Sequence, residues 1–493
     1  MIGLLLEDNA FEQDIRELLM AFYPGETYVH EEKPDVSFYV ECKKNEEQTG
    51  YELNVTSCGP AEFHAGRPVP IDADSRLETK NRIKRRLYFM LRERTGKELP
   101  WGSLTGIRPS KIAIALLEEG KTREEISRHM RDTYLTSDEK IDLAVTTAEN
   151  EKMLLADFDY VHGYSLYIGI PFCPTTCLYC SFTSYPIGAW RGRTGQYLEA
   201  LFKEMDYVAE TMKKTDRAGT GNKLPLHLGT VYFGGGTPTA LSAEDLEALL
   251  TKLEETFDLS GIRELTVEAG RPDSITREKL EVLKRHHVTR ISINPQTMKQ
   301  ETLDIIGRHH TVDMVKDCFH LARELGFDNI NMDLIVGLPG ETLEDVRRTM
   351  KEIKMLDPDS ITVHSLAIKR AARLNLFKER YEDMMTQDIQ EMIDLTAAAA
   401  REMGMEPYYL YRQKNMAGNF ENVGYAKSGK ACLYNILIME EKQTIIGCGA
   451  GTTTKIVYPE ENRRERAENV KDVEQYIGRI GEMIERKGKF LEA

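Results

Sequence analysis

The sequence predicts an α/β protein: a partial (β/α)6 barrel of the TIM type, with an N-terminal α+β extension and a mainly helical C-terminal subdomain. Three observations carry this. Between residues 164 and 370, short runs rich in β-branched and aromatic residues alternate with amphipathic stretches six times. Polar or glycine-rich groups fall at the end of these runs, where barrels of this kind keep their chemistry. Before 160 and after 380 the alternation stops, so the expected divisions are 1–160, 161–380 and 381–493.

With 493 residues there is room for two to four domains. Hydrophobic residues make up 41% and charged residues 29%, a globular rather than a disordered balance. A net charge of −15 argues against a surface built for general nucleic-acid binding. No apolar run is long enough to span a membrane. The first residues carry no basic leader and turn acidic at Glu7, so no secretory signal is expected. Eight cysteines, three of them clustered, suit a cytoplasmic chain with reduced thiols and a metal site.

The extension opens with helical spacing of Phe11, Ile15, Leu18, Leu19 and Phe22. Residues 36–42 and 51–55 then alternate as a hairpin around a polar turn, and Cys42 and Cys58 there read as incidental thiols. In 81–94, Ile83, Leu87, Met90 and Leu91 share one helical face among many cations. A basic patch for an acidic partner is one reading, and a solvated amphipathic helix is preferred. Barrel strands are expected near 164–172, 230–235, 264–268, 290–294, 329–336 and 360–365. The clearest helix between them is 197–212, with Leu198, Leu201, Phe202, Met205 and Val208 on one face.

The first strand opens into a loop in which Cys173, Cys177 and Cys180 are spaced C-x3-C-x2-C. Thiolates are the preferred ligands of iron–sulfur clusters, and a [4Fe–4S] cube normally takes four. Three leave one iron open to bind a small molecule and pass it an electron. A zinc site would want a fourth ligand; there is no second C-x2-C, which leaves His309 or His310 as distant candidates. Later strand ends carry Gly234-Gly235-Gly236-Thr237-Pro238, Glu268, Gln296 and Asp333, with Arg308 in the helix after the fourth. Such a set could hold ribose hydroxyls and an amino group, with Arg308 pairing a ligand carboxylate. That suits a nucleoside-linked amino acid.

The cysteine loop, with Tyr179 before its last cysteine, resembles the defining motif of the radical S-adenosylmethionine (SAM) superfamily over roughly 164–370. Tyr167 through Cys173, Gly234–Thr239 and Asp333 through Pro339 resemble its oxygen-independent coproporphyrinogen III oxidase group. The long extension and residues 408–415 are most similar to the HemZ branch, described as a coproporphyrinogen dehydrogenase. The resemblance implies that Cys173, Cys177 and Cys180 bind a [4Fe–4S] cluster and that Tyr167, Gly235 and Glu268 contact cluster-bound SAM. It also implies that Gly236, Thr237, Gln296, Arg308 and Asp333 line a second SAM position. The implied partners are coproporphyrinogen III or another tetrapyrrole and a one-electron donor such as flavodoxin. Two positions depart from the oxidase proper: Phe182 replaces a fourth cysteine and Gly169 a histidine. The related haem-chaperone branch also has an aromatic at the first position, and its C-terminal His-Asn pair is Tyr434-Asn435 here. The leading expectation is oxidative decarboxylation of coproporphyrinogen III to protoporphyrinogen IX. The alternatives are tetrapyrrole or haem handling without decarboxylation, and a radical-SAM enzyme of other substrate whose extension recruits RNA.

Beyond 380 a helix is expected over 384–403. Glycine-rich stretches around Tyr425, Cys432 and Cys448 then read as a subdomain closing over the barrel mouth. Cys432 and Cys448 read as small buried hydrophobes rather than ligands.

Overall fold

The computed structural model describes residues 1–7, 9–57, 62–64, 68–106, 108–182, 184–214, 227–367, 373–376, 381–385, 388–412, 420–458, 461 and 463–491. Cys58, residues 413–415 of the HemZ-like stretch and a boundary at 380 lie outside them. The chain divides into two compact units: Met1–Glu149 with Leu410–Asn422, and Asn150–Tyr409 with Val423–Ala493.

In the first unit Ile2–Leu6 pairs in parallel with Tyr28–Val29 and with Phe38–Lys44, and Phe38–Lys44 forms an antiparallel hairpin with Gly50–Ser57. Helices Glu12–Phe22 and Arg76–Thr95 bury Leu18, Leu19, Phe22, Ile83, Leu87 and Leu91 against Val40 and Leu53. The cations of the second helix have local partners: Arg82 pairs with Asp72 and Glu78, Arg92 with Glu98, and Lys80 with Asp14. Lys84 donates to Thr105, Arg85 to the carbonyl of Asp132, and Arg94 lies over the ring of Phe38. This is the amphipathic, internally paired helix.

The second unit contains six parallel strands in sequence order: Gly163–Ile170, His227–Gly235, Glu264–Gly270, Arg290–Ile293, Ile330–Val336 and Ser360–Ser365. Each falls within a few residues of its expected position. Helices Thr194–Lys214, Ala243–Thr256, Arg277–Arg285, Val312–Glu324 and Leu343–Leu356 alternate with them. Ser242, Thr276, Thr311 and Thr342 cap four of these with side-chain oxygens, which accounts for their sharp starts.

The strands differ from the uniformly apolar pattern usual in parallel sheets. Leu166, Ile168, Val231, Phe233, Leu265, Val267, Ile291, Ile293, Met332 and Leu334 are buried on one face. The alternate positions are polar and meet one another: Thr230 donates to Ser165, Tyr232 to Glu268, and Ser360 and Thr362 to Asn331. The result is an apolar exterior for the helices and a polar lumen.

After 380 the chain supplies helices, Ile389–Glu402 and Ile480–Leu491 among them, and also strands. Thr444–Cys448 pairs in parallel with the first barrel strand and continues into an antiparallel hairpin, Thr453–Tyr458 with Arg463–Glu468. At the other edge, Glu421–Ala426 pairs antiparallel with the sixth strand. The expected closure over the barrel mouth is therefore corrected. Helix Leu433–Glu440 sits at the opposite end, where Glu264, the first residue of the third strand, accepts from the Leu433 and Tyr434 N–H groups at 2.7 and 3.4 Å. A carboxylate there satisfies free N–H groups and favours the helix dipole.

Candidate active site

The first strand stops at Pro171, which cannot donate to the ladder. Phe172–Cys173 then pairs with Tyr185–Pro186, drawing together the two ends of the cysteine loop. Leu178 N donates to Ile306 O at 2.9 Å and Thr175 Oγ1 to Gly307 O at 3.1 Å, pinning the loop beyond the fourth strand. Cys173 and Cys177 are buried, Cys180 is partly exposed, and all three are free thiols. Burial pushes the Cys173 thiol up to about 11, with Cys180 and Cys177 adding to the effect against Thr237 and Arg271. Such thiols need a bound metal to hold them as thiolates.

The glycine turn abuts this loop. Gly236 N donates to Ile170 O and Thr237 N to Phe172 O, each at 2.7 Å, and Thr237 Oγ1 lies 3.5 Å from Cys173 Sγ. A Cβ on Gly236 would stand 2.5 Å from Phe172 O, and Gly235 adopts φ +104°, so both positions require glycine. A Cβ at Gly234 would fall 3.1 Å from Tyr167 Oη and 3.3 Å from Glu268 Cδ, which shows how closely the three tips converge.

Inside the lumen Tyr167, Tyr232 and Tyr434 stack, with centroids 6.1 Å apart for Tyr167–Tyr232 and 4.6 Å for Tyr232–Tyr434. Tyr232 donates to Glu268 Oε1 at 2.6 Å. Burial drives the Glu268 carboxyl up to about 7; Asp333 also raises it, while Tyr232, Arg290 and His364 oppose. Burial pushes Asp333 up too, but His364, Asn331 and Thr362 hold it below the ordinary carboxylate value. Gln296 has φ +67°, unusual for a side-chain-bearing residue, and is locked by Gln296 N to Asp333 O and Ile335 N to Gln296 O, each 3.0 Å. Arg308 donates to Asn294 O and turns its charge toward Tyr179 and Cys177.

Of the expected residues, Thr237 meets Cys173, Tyr167 and Glu268 meet around Gly234, and Gln296 is bonded to Asp333. Arg271, Tyr232, Tyr434, Asn331 and His364 were not anticipated. For three of them, Tyr232, Asn331 and His364, the signal was available as period-two polar alternation: Thr230-Tyr232, Asn331-Asp333 and Thr362-His364 lie at every second residue. Tyr434 stands where the resemblance places the haem-chaperone histidine, and Arg271 had no local signal. Cys432 is a buried thiol that donates to Glu264, and Cys448 is fully buried, so neither faces this site.

Both departures have structural correlates. A Cβ on Gly169 would stand 2.5 Å from Thr452 Cγ2, so a histidine would have to displace the segment after Thr444–Cys448. Phe182 is 71% exposed. His310 is fully buried, with no hydrogen-bond partner on either ring nitrogen. Among the described residues no three of His, Cys, Asp or Glu group closely enough for one metal ion. A cube places each thiolate on a different iron, so the fit to a cluster rests on donor chemistry: three soft sulfurs on one loop. Gln296 Oε1 and Arg308 Nε, buried without hydrogen-bond partners, are polar atoms that a bound nucleoside-linked amino acid would satisfy.

Residues 167–353 match the family model described as the radical SAM superfamily. Over 493 residues the chain is 38% identical to the oxygen-independent coproporphyrinogen-III oxidase-like protein HemZ of Bacillus subtilis, covering 99% of this chain and 97% of that one. It is 33% identical to the haem chaperone HemW of the same organism, over 64% of this chain and 76% of that one. The solved structure of coproporphyrinogen III oxidase (HemN) from Escherichia coli aligns over 67% of this chain and 72% of that one, with TM-score 0.51 and 22% identity. The site and fold are those of a radical SAM protein, whose cofactors are a [4Fe–4S] cluster and SAM. Within that superfamily the chain belongs to the oxygen-independent coproporphyrinogen III oxidase-like family that includes HemZ. Among the described residues no helix is long and apolar enough to cross a membrane.

Proposed function

We propose that the chain is a radical SAM oxidoreductase of haem biosynthesis that converts two propionates of coproporphyrinogen III to vinyls without oxygen, giving protoporphyrinogen IX. The full-length likeness to HemZ carries this reading. Cys173, Cys177 and Cys180 hold the cluster; Tyr167, Gly235 and Glu268 contact the SAM on its open iron. Gly236, Thr237, Gln296, Arg308 and Asp333 line a second SAM position. When bound, the cluster and SAM would supply one-electron chemistry, fed by a donor of the flavodoxin class, able to remove one hydrogen from the propionate carbon next to the ring. The substrate then loses carbon dioxide and passes one electron to an acceptor, leaving the vinyl. The tyrosine-lined lumen keeps water from the site, and Glu268 and Asp333 offer differently charged carboxyls to the SAM amino groups and ribose hydroxyls. Residues 161–380 form the core of this division of labour, 1–160 the extension and 381–493 the C-terminal subdomain. The setting is the cytoplasm.

A second reading is haem or tetrapyrrole handling without decarboxylation, favoured by Phe182 at the fourth-cysteine position and by the likeness to HemW. Anaerobically reconstituted, dithionite-reduced protein with SAM, with and without coproporphyrinogen III, separates the two. Equivalent 5′-deoxyadenosine and protoporphyrin are the expected result. Deoxyadenosine without protoporphyrin removes the substrate assignment, and neither product from a cluster-loaded protein favours the second reading.

A further inference from the structure

Arg271 follows the third strand and is almost fully buried beneath the cysteine loop. Its Nε and Nη2 donate to the two carboxylate oxygens of Asp273 at 2.9 and 2.6 Å. That bidentate pair fixes the guanidinium plane and leaves Nη1 free to face the loop. Nη1 donates to Thr175 O at 3.0 Å, to Thr175 Oγ1 at 2.7 Å and to Cys177 Sγ at 3.8 Å. The turn beneath is anchored: Ser274 Oγ donates to Arg271 O at 2.7 Å, and Lys279 Nζ donates to Thr239 O at 2.6 Å and Ser274 O at 3.0 Å. The charge is therefore held in place rather than free to swing.

We propose that Arg271 is a positioning residue that sets the reduction potential of the cluster, by holding a fixed positive charge and an N–H donor against the Cys177 sulfur. This rests on the assignment of Cys177 as a cluster ligand. Reduction adds negative charge to the cluster and its sulfurs, so a neighbouring cation and a hydrogen bond to sulfur favour the reduced form. A buried cation acts more strongly than an exposed one because little water screens it. Asp273 offsets part of this charge, but its oxygens bind the far side of the guanidinium, away from the sulfur.

The test is a redox titration of reconstituted full-length protein, followed by electron paramagnetic resonance, with iron content measured alongside. Arg271→Gln is expected to lower the reduced-to-oxidised ratio at a given potential roughly tenfold, a midpoint shift of about 59 mV for one electron. Arg271→Lys keeps the charge and is expected to stay much nearer the parent protein. A Gln variant with unchanged midpoint overturns the proposal, as do equal shifts in both variants, which would assign the effect to packing. If the Gln variant loads no cluster while the Lys variant does, the need for charge at Cys177 stands; loss of loading in both overturns it. The ligand assignment fails separately, if Cys177→Ala takes up as much iron as the parent.

Discussion

Two carboxylates of the lumen show how single side chains divide the work. Glu268 titrates near neutrality because burial and Asp333 outweigh the help of Tyr232, Arg290 and His364. Asp333 stays ionised because the imidazole of His364 and the donors Asn331 and Thr362 outweigh its burial. Environments that push two like groups apart in this way are how one site offers both a proton acceptor and a fixed anion. If the Glu268 anion receives the SAM ammonium, deoxyadenosine formation should rise with pH through about 7, falling tenfold per unit on the acid side. Tyr232→Phe removes a hydrogen bond that favours the anion. The limb should therefore move to higher pH, and the rate at pH 7 should drop several-fold. A pH–rate profile of the two proteins checks this, and superimposable profiles would detach Glu268 from SAM.

Among the elements, helix Leu433–Glu440 depends on a residue distant in sequence. Its N-cap residue Cys432 makes no side-chain cap, and the third strand's Glu264 accepts from Leu433 N, Tyr434 N and Cys432 Sγ instead. Glu264 is also a counter-charge for the fully buried Arg290. Glu264→Ala should cost about 1–3 kcal/mol, since it uncaps the helix and leaves buried N–H groups without an acceptor. Glu264→Gln should cost less, because an amide oxygen still caps. Urea unfolding followed by circular dichroism measures both, and an alanine variant as stable as the parent would show that the cap is dispensable. The same helix marks the limit of the sequence as a guide. The six barrel strands were legible because each is a compact β-branched run bounded by turn residues. Thr444–Cys448 was read as glycine-rich because its partner, the first strand, lies far away in sequence, and tertiary pairing overrides local propensity. The cysteine motif was legible because its spacing is local. The remaining lumen residues on the strands lie below the tips, where the polar set continues down each strand at every second residue.

On the scale of the whole molecule, buried carboxylates decide how stability responds to pH. Glu268 and Glu341 are both raised from 4.5 to about 7, chiefly by burial. Glu151 is buried with no hydrogen-bond partner on either oxygen; burial and then Glu440 push it well above the ordinary value, with Lys442 opposing. A raised carboxyl favours the fold in its protonated form. Its contribution is complete below about 4.5 and is lost as pH rises through the folded-state value. Asp345 runs the other way. Burial raises it, but Lys299 and Thr342 bring it down to about 2, so its contribution is present above 3.8 and lost as pH falls toward 2. Together these four groups favour the fold most on the acid side of neutrality. Glu151→Gln isolates one of them, because the amide is neutral throughout. Its loss of stability between pH 5.5 and 8 should be smaller than that of the parent. Thermal unfolding across that range provides the comparison, and parallel curves for the two proteins would exclude Glu151 as a source of the pH dependence.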